Sequence, residues 1–291
     1  MAKLGMNVVD LRNVSFRYTG SEKEVLSNIS LKIEEGESVL ITGPSGCGKS
    51  TIARIIMGLI PHSYSGDLRG EAYVFGMNIL ENPVSRIATR CGIVFQNPAN
   101  QLFTFSVEDD VAFGPENLAL PPEDIRRRVD ESIRLVGIEH LRYSSPNSLS
   151  GGEQQKAAIA SILSMHPSII VFDEPTSMLD PSSSISLIQS IFRLKENLEE
   201  KGSKITLIII EHRISLLLDH VSRIVVISDG RIVLDGEPMT VLYESFKKRI
   251  PINIPPVLQI YFRIKDKCGL EKPPKNLKEL FSYLREEVKH G

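Results

Sequence analysis

A glycine-rich segment at residues 43–50, with the sequence GPSGCGKS, most strongly constrains how this chain can fold. It follows the short apolar run Ser38–Thr42, which predicts a buried strand. Residues 50–59 after it carry isoleucine and leucine at helical spacing, so we predict a helix there. The segment fits the pattern G-x-x-x-x-G-K-[ST] between a strand and a helix, where that pattern binds phosphate.

Each residue type in this loop has a chemical reason to be there. Glycines let successive N–H groups converge on phosphate oxygens, and the helix N-terminus adds a favourable field. Lys49 is predicted to reach the β- and γ-phosphates, and Ser50 to ligate Mg²⁺. GTPases, small-molecule kinases and motor proteins share the loop, so by itself it predicts nucleotide binding only. The predicted nucleotide contacts here are Gly43, Pro44, Ser45, Gly46, Cys47, Gly48, Lys49, Ser50 and Thr51.

Further along the chain, short apolar runs alternate with helical patterns. Residues 169–172 and 205–210 predict buried strands, and residues 153–165 and 185–198 predict helices. This alternation favours an α/β fold whose mixed, mainly parallel sheet is covered on both faces. The first forty residues form strands and turns that predict an antiparallel β subdomain. Asp229-Gly230 between two apolar runs predicts a hairpin.

Two regions depart from the alternating pattern. Residues 98–150 contain Pro115 and a proline pair before a charged helical stretch, which predicts a helical subdomain inserted at about 97–160. Beyond residue 245, several prolines precede an amphipathic stretch. We therefore predict a nucleotide-binding domain at 1–245 and a small C-terminal extension at 246–291.

Composition limits the compartment and the partners. Charged residues make up 24% of the chain and the net charge is −2, which disfavours nucleic acid as a partner. Cys47, Cys91 and Cys268 are odd in number and widely spaced, as suits a reducing compartment. The first residues lack a signal-peptide core, and no apolar run approaches the roughly 20 residues that span a bilayer. We expect a soluble, cytoplasmic protein.

The segment LSGGEQQ at residues 149–155 separates this chain from other nucleotide binders. Over residues 7–240 the chain resembles the ATP-binding cassette family, whose signature is LSGGQ, although Glu153 replaces the glutamine. The resemblance implies that Ser150, Gly151 and Gly152 of one subunit cap the γ-phosphate of ATP held by a second subunit. A serine-capped helix after a glycine turn is the simpler interpretation of this segment.

Two carboxylates, Asp173 and Glu174, end the predicted strand at 169–172. A strand-end carboxylate beside the phosphate loop can hold Mg²⁺ through a water. The resemblance assigns that role to Asp173 and makes Glu174 the group that orients or deprotonates the attacking water. The alternative is a pair of strand-end charges that only reach solvent.

Four further site residues follow from the resemblance alone. Gln96 matches the glutamine that contacts Mg²⁺ and the lytic water, and Asp180 matches the loop that crosses the dimer interface. His212 matches the switch histidine that hydrogen-bonds the γ-phosphate, although a plain ion pair with Glu211 is the alternative. Tyr18 matches the aromatic that stacks on adenine; the alternative is a core aromatic of a strand.

The predicted activity is ATP hydrolysis with Mg²⁺, with Glu174, His212, Lys49 and Gln96 as catalytic groups. Cassette proteins of DNA repair are disfavoured, because they contain long coiled coils and no sustained heptad array is present. Translation-associated cassette proteins carry two cassettes in one chain, whereas each motif occurs once here. A scaffold subunit should lack the catalytic carboxylate that Glu174 supplies.

Residues 96–103 and 107–117 resemble the energy-coupling factor and cobalt-type importers. These pair two cassette ATPases with a transmembrane coupling subunit and a membrane protein that captures a vitamin or a metal ion. The resemblance implies a peripheral protein on the cytoplasmic face of the membrane. The cargo stays open, as does the choice between a homodimer and a heterodimer.

Two surfaces are candidates for partner contacts. In the family, a groove between core and helical insert receives a helix of the membrane subunit, and Phe103, Phe105 and Phe113 either line it or belong to the core of the insert. In the extension, one predicted helical face either pairs the subunits or packs on its own domain. That face consists of Leu277, Leu280, Phe281 and Leu284.

Overall fold

The computed structural model describes residues 6–265, 270, 272–274 and 277–290, with side chains up to residue 283. The described strands are β1 (Asn7–Tyr18), β2 (Leu26–Glu34), β3 (Ser38–Thr42), β4 (Gly66–Val74), β5 (Met77–Asn78), β6 (Cys91–Val94), β7 (Ile169–Asp173), β8 (Thr206–Ile210), β9 (Arg223–Ser228) and β10 (Arg231–Gly236). The described α-helices are α1 (Lys49–Ile56), α2 (Leu59–His62), α3 (Val84–Ala88), α4 (Val107–Asn117), α5 (Pro122–Val136), α6 (Gly151–Leu163), α7 (Pro181–Glu200), α8 (Pro238–Lys247), α9 (Pro256–Ile264) and α10 (Leu277–His290).

A six-stranded sheet in the order β10-β9-β3-β8-β7-β6 forms the centre of the protein. Only the β9–β10 pair is antiparallel; β3, β6, β7, β8 and β9 pair in parallel. Every residue of β3, β7 and β8 is buried, as expected when helices cover both faces of a parallel sheet. The mixed, mainly parallel sheet and the hairpin at Asp229-Gly230 are confirmed.

A second, antiparallel sheet has the order β2-β1-β4-β5 and confirms the predicted β subdomain. Its strand β4 was missed from the sequence. Most residues of β4 are not buried, and the strand contains Gly66, Asp67 and Gly70, so the apolar alternation is weak. Strand pairing with β1 determines its conformation instead.

The helical insert lies between β6 and β7 and consists mainly of α4, α5 and α6, whose apolar faces pack in one cluster. Helix α1 is shorter than predicted because Gly58 adopts a left-handed φ of 67° and ends that turn. Helix α7 is longer than predicted, because the Asp180 carboxylate caps its N-terminus by accepting from the N–H groups of Ser182 and Ser183.

The C-terminal helices share the core of the sheet. Helix α8 runs through the predicted boundary at residue 245, and α9 buries Leu258, Tyr261 and Phe262 in the same apolar cluster as α6 and α7. The division into two domains stays a prediction. No helix within the described ranges is long and apolar enough to cross a membrane.

The predicted pairing face of α10 is divided. Leu280 is buried and packs on the core, whereas Leu277 and Phe281 are 50% and 58% exposed. The side chain of Leu284 lies outside the described residues, and so does Cys268. Both interpretations of this face therefore stay open for its exposed half.

Candidate nucleotide site

The candidate site forms at one edge of the central sheet. Parallel pairing of β3 with β8 and of β8 with β7 brings the carboxyl ends of these strands together. The phosphate loop follows β3, Glu174 follows β7, and His212 comes shortly after β8. Open α/β sheets bind their ligands at this edge.

The phosphate loop requires glycine at two close approaches. A Cβ on Gly43 would lie 2.0 Å from the carbonyl oxygen of Ile227, and one on Gly48 would lie 2.5 Å from a methyl of Leu26. Lys49 is only 4% exposed, and its ammonium donates to the carbonyl oxygens of Gly43 at 3.1 Å and Pro44 at 2.9 Å. The carbonyl oxygens of the loop thus surround the Lys49 ammonium, which is the group expected to contact phosphate.

The remaining loop residues divide by exposure. Thr51 is buried at the start of α1, and Ser50 beside it is partly buried. Ser45 and Gly46 are exposed, Pro44 is intermediate, and Cys47 and Gly48 are buried. Burial raises the pKa of the Cys47 thiol, so this cysteine stays a neutral thiol inside the loop.

Ser50 and Asp173 form the candidate magnesium position. The Ser50 hydroxyl donates to Oδ1 of Asp173 at 3.0 Å, and Asp173 is 8% exposed. Burial raises the pKa of Asp173, the Ser50 hydrogen bond opposes that shift, and neighbouring Glu174 reinforces it. A hydroxyl and a carboxylate are the hard oxygen donors that Mg²⁺ takes in small number beside phosphates and waters, so the residues present fit this ion.

The Glu174 carboxylate contacts two polar side chains, those of Gln96 and His212. Its Oε2 accepts from the Gln96 amide at 3.0 Å, and its Oε1 lies 3.1 Å from Nε2 of His212. The backbone N–H of Glu174 donates to the Ile210 carbonyl at 2.9 Å, and its φ of 50° is rare for a non-glycine residue. Such strained backbone clusters at functional sites. The three predicted groups Gln96, Glu174 and His212 therefore meet at one point.

Glu211 is a site residue whose role sequence reasoning missed. It was considered only as an ion-pair partner of His212, and that alternative is wrong, since the His212 ring contacts Glu174 instead. The Glu211 carboxylate is 3% exposed and accepts from the Thr176 hydroxyl and from the backbone N–H groups of His212 and Arg213. It therefore fixes the backbone of the switch loop to the segment after Glu174. Its position directly after a buried strand was the available signal.

Tyr18 lies beside the start of α1. Its hydroxyl accepts from Arg54 at 2.8 Å and lies 3.1 Å from Oγ1 of Thr51, and its ring meets Phe16 edge-on at 4.7 Å. The guanidinium of Arg54 also stacks over Tyr64, 4.6 Å from the ring centre. These contacts hold Tyr18 against the phosphate-loop helix, and its stacking on adenine stays a prediction.

The signature residues lie at the N-terminus of α6. Gly151 is exposed, Gly152 is partly buried, and the exposed Ser150 hydroxyl donates to Glu153 at 2.7 Å. A Cβ at Gly152 would touch Leu179, which precedes Asp180. The described side-chain hydrogen bonds of Ser150 run to Glu153, and not to Lys49 or Glu174. Asp180 caps α7 separately, through the backbone N–H groups of Ser182 and Ser183.

Comparison with known sequences agrees with this geometry. Residues 26–177 match a family model described as "ABC transporter". A Pyrococcus abyssi protein, named as a candidate ABC transporter ATP-binding protein, is 40% identical over 98% of this chain and 100% of its own length. A Pyrococcus horikoshii protein with the same description is 42% identical over 92% of this chain and 93% of its own length. A Methanosarcina mazei relative is 41% identical over 92% of this chain, which spans only 45% of that longer protein.

Solved structures show the same fold. The structure of cbiO1 from Clostridium perfringens, described as part of the ABC transporter complex cbiONQ, aligns with a TM-score of 0.71 and 29% identity, covering 90% of this chain and 96% of that one. The dimeric cassette MJ0796, in a post-hydrolysis state with ADP and Pi, aligns with a TM-score of 0.67 and 30% identity over 79% of this chain and 98% of that one.

Two aspartates at the site should respond in opposite ways to neutralisation. Burial raises the pKa of Asp173, so its charged form is disfavoured in the fold, and Asp173→Asn should raise the unfolding temperature at pH 7 in the absence of nucleotide. Hydrogen bonds from Ser182 and Ser183 lower the pKa of Asp180, so Asp180→Asn should lower that temperature. Thermal unfolding in EDTA measures both.

Adding Mg²⁺ and ATP supplies the functional half of this test. The nucleotide should stabilise the wild-type chain, and Asp173→Asn should lose most of that gain because the magnesium position is weakened. An Asp173→Asn variant that is destabilised without nucleotide would contradict the proposed burial cost of this carboxylate.

Proposed function

Because this chain is an ATP-binding and ATP-hydrolysing subunit of the ABC transporter family, we propose that it pairs with a second cassette subunit and drives a membrane partner on the cytoplasmic face. The partner cassette is a second copy or a close relative. Two ATP molecules lie between the paired subunits, each bound by the phosphate loop of one and the signature of the other. Nucleic acid has no role in this function.

The single observation that supports the chemistry is the placement of Glu174 between Gln96 and His212. Glu174 can accept a proton from the attacking water, while His212 and Gln96 orient water and γ-phosphate around it. Lys49 neutralises charge on the β- and γ-phosphates. Magnesium, when bound at Ser50 and Asp173, supplies further charge neutralisation. The protein thus contributes position and electrostatics, which are what phosphoryl transfer to water requires.

The signature of the partner completes each site in this proposal. Ser150 and the amides of Gly151 and Gly152 lie at the N-terminus of α6, where backbone N–H groups and the helix dipole favour an anion. The phosphate loop, the catalytic carboxylate and the signature residues Ser150, Gly151 and Gly152 are all present in this chain, so a pair of identical copies has two complete sites.

Replacing the proposed base should separate binding from hydrolysis. Glu174→Gln keeps the shape, can accept from Gln96 through its carbonyl oxygen and can donate to Nε2 of a neutral His212 through its NH₂ group. It cannot take a proton, so turnover should fall by about 10²- to 10⁴-fold. ATP affinity should stay close to that of the wild type. Phosphate release and equilibrium binding of a fluorescent ATP analogue measure the two effects.

Two further variants serve as controls for the effect of Glu174→Gln on turnover and on ATP affinity. Glu196→Gln removes an exposed carboxylate on α7 and should leave both quantities unchanged. Lys49→Ala should lose nucleotide affinity itself. Normal turnover in Glu174→Gln would remove the general-base role, and normal ATP binding in Lys49→Ala would remove Lys49 from the phosphate site.

We further propose that the membrane partner is the coupling subunit of an energy-coupling factor type importer, together with a protein that captures a vitamin or metal ion. The resemblance of residues 96–117 and the similarity to cbiO1, a part of the cbiONQ complex, support this subfamily. The extension at 246–291, with exposed Leu277 and Phe281, then helps to pair the subunits.

The surface that fits such a partner is an apolar groove between the core and the helical insert. Phe103 and Phe113 line it and stack edge-to-face at 4.8 Å, with 65% and 45% of their surface exposed. Phe105, the third aromatic predicted there, is not among the lining residues and is 93% exposed. The opposite wall is aliphatic and belongs to the core, with Leu59, Val84, Ala88 and Ile93.

One carboxylate in the groove suggests what the docking helix contains. Asp110 is 4% exposed, and its Oδ1 accepts from the backbone N–H groups of Phe103 and Thr104. Its Oδ2 is buried without a hydrogen-bond partner. An apolar helix with one hydrogen-bond donor would fill the groove and, once the Asp110 side chain turns toward it, satisfy this oxygen.

Substitution of Asp110 tests the groove. Asp110→Asn keeps Oδ1 as an acceptor but directs an NH₂ group at the partner's donor, so affinity for the membrane complex should fall about 10-fold or more. Burial raises the pKa of Asp110, so removal of its charge should not destabilise the isolated chain. Co-purification from membranes and thermal unfolding measure these quantities.

The matched control for the groove is Tyr143→Ser, which removes a 77% exposed aromatic of the insert that does not line the groove. This variant should keep the membrane partner. A second variant, Phe103→Ser, changes the aromatic wall of the groove. If both Asp110→Asn and Phe103→Ser retained the membrane partner, the groove would be excluded as the docking surface. Mass spectrometry of the co-purified subunits identifies the transporter class.

A further inference from the structure

The residue that replaces the signature glutamine, Glu153, is bonded to the hydroxyl that should meet the phosphate. One oxygen of its carboxylate, Oε2, accepts from the backbone N–H of Ser150 at 2.8 Å and from the Ser150 hydroxyl at 2.7 Å. Glu153 lies in the first turn of α6, so these bonds also cap the helix. The same side chain thus stabilises the helix and engages the proposed phosphate ligand.

A serine hydroxyl has only one proton to donate. While Ser150 donates it to Glu153, only the lone pairs of its oxygen are free, and these cannot bind a phosphate oxygen, which is itself an acceptor. The serine must therefore release Glu153 before it can donate to ATP. Phosphate and carboxylate are competing acceptors for one proton.

Charge adds to this competition. A phosphate oxygen that accepts from the Ser150 hydroxyl would lie within about 5.5 Å of the carboxylate oxygen that shares the same hydroxyl, since each hydrogen bond is close to 2.7 Å long. Hydrogen bonds from Ser150 lower the pKa of Glu153, which keeps the carboxylate ionised at neutral pH. Two anions would therefore face each other across a single hydroxyl.

Glutamine at this position would act differently. Its carbonyl oxygen can still accept from the backbone N–H of Ser150, so the helix cap is kept. A carbonyl oxygen in the position of Oε2 is a neutral acceptor, and it binds the Ser150 hydroxyl more weakly than a carboxylate oxygen does, so the hydroxyl proton is released to phosphate more readily. The substitution also removes the negative charge.

We propose that Glu153 is a positioning residue that withholds the Ser150 hydroxyl from ATP and so raises the nucleotide concentration needed to close the pair. The inference rests on the proposed function, in which the signature of one copy binds the ATP of a second copy. Glu153 itself does not touch the reacting atoms. It acts through Ser150.

ATP-dependent dimer formation tests this role. In a Glu174→Gln background, which slows hydrolysis, Glu153→Gln should lower the ATP concentration at half-dimerisation by about 3- to 10-fold, as for the exchange of one competing charged hydrogen bond for a neutral one. Analytical ultracentrifugation at constant ionic strength measures the midpoint. In the hydrolysis-competent chain, the same change should lower KM for ATP more than it changes kcat.

A double-mutant cycle distinguishes the shared proton from a merely structural cap. In a Ser150→Ala background the hydroxyl is absent, so the gain from Glu153→Gln should shrink markedly. Glu153→Ala, which loses the cap, should lower the thermal stability, whereas Glu153→Gln should retain it. If Glu153 only caps helix α6 and does not affect ATP binding, Glu153→Gln should leave the ATP concentration at half-dimerisation unchanged.

The outcomes are distinguishable from failure of the proposed function. If the Glu174→Gln parent dimerises with ATP and Glu153→Gln leaves the midpoint unchanged or raises it, the role of Glu153 is overturned and the pairing stands. If the parent stays monomeric at every ATP concentration, the ATP-bound pair of copies is contradicted, and the role of Glu153 with it.

Discussion

The parallel pairing of β3, β8 and β7 is the constraint on which the nucleotide site depends. Because parallel strands end at the same edge of a sheet, three loops from distant parts of the sequence meet there. The first connection brings Lys49 and Ser50 at the start of α1, the second brings Glu174 directly after Asp173 at the end of β7, and the third brings His212. All three strands are fully buried, so close packing fixes their ends, and the groups that follow them, relative to one another.

Buried polar groups then convert this framework into a connected site. The Ser50–Asp173 hydrogen bond joins the phosphate loop to β7, and Glu211 joins the switch loop to Thr176. A buried carboxylate that lacked its donors would be costly, so the loops around Glu211 are held together by the need to satisfy it. Movement of the His212 loop is therefore coupled to the segment that follows Glu174.

The parts of the molecule that were predictable have strong local patterns. The loop at 43–50, the buried strand before Asp173 and the signature at 149–155 each combine fixed residue types with a strand or helix context, and all three lie where expected. Strand β4 was not predictable, because its register comes from pairing with β1 and its sequence has little alternation. The end of α1 was predicted too late, since Gly58 in left-handed geometry stops it.

Roles that depend on side-chain partners were the hardest to foresee. Glu211 and His212 are neighbours in sequence, yet the ring of His212 bonds to Glu174 while Glu211 accepts from backbone groups. Similarly, Glu153 resembles a conservative replacement in sequence, and only its bonds to Ser150 show that it competes for the hydroxyl. Neither pairing follows from periodicity or motif spacing, because both depend on loop geometry.

The central claim, that each ATP is bound by the phosphate loop of one copy and the signature of the other, is tested most directly by mixing two inactive variants. Lys49→Ala disables the phosphate loop, and Gly151→Asp adds a negative charge to the signature at a position where a side chain meets open space. Neither variant alone should hydrolyse ATP. An equal mixture should recover up to about a quarter of wild-type turnover, since half of the pairs are mixed and each has one intact site. A mixture that stays inactive at every ratio, while mixed pairs form, would contradict the account.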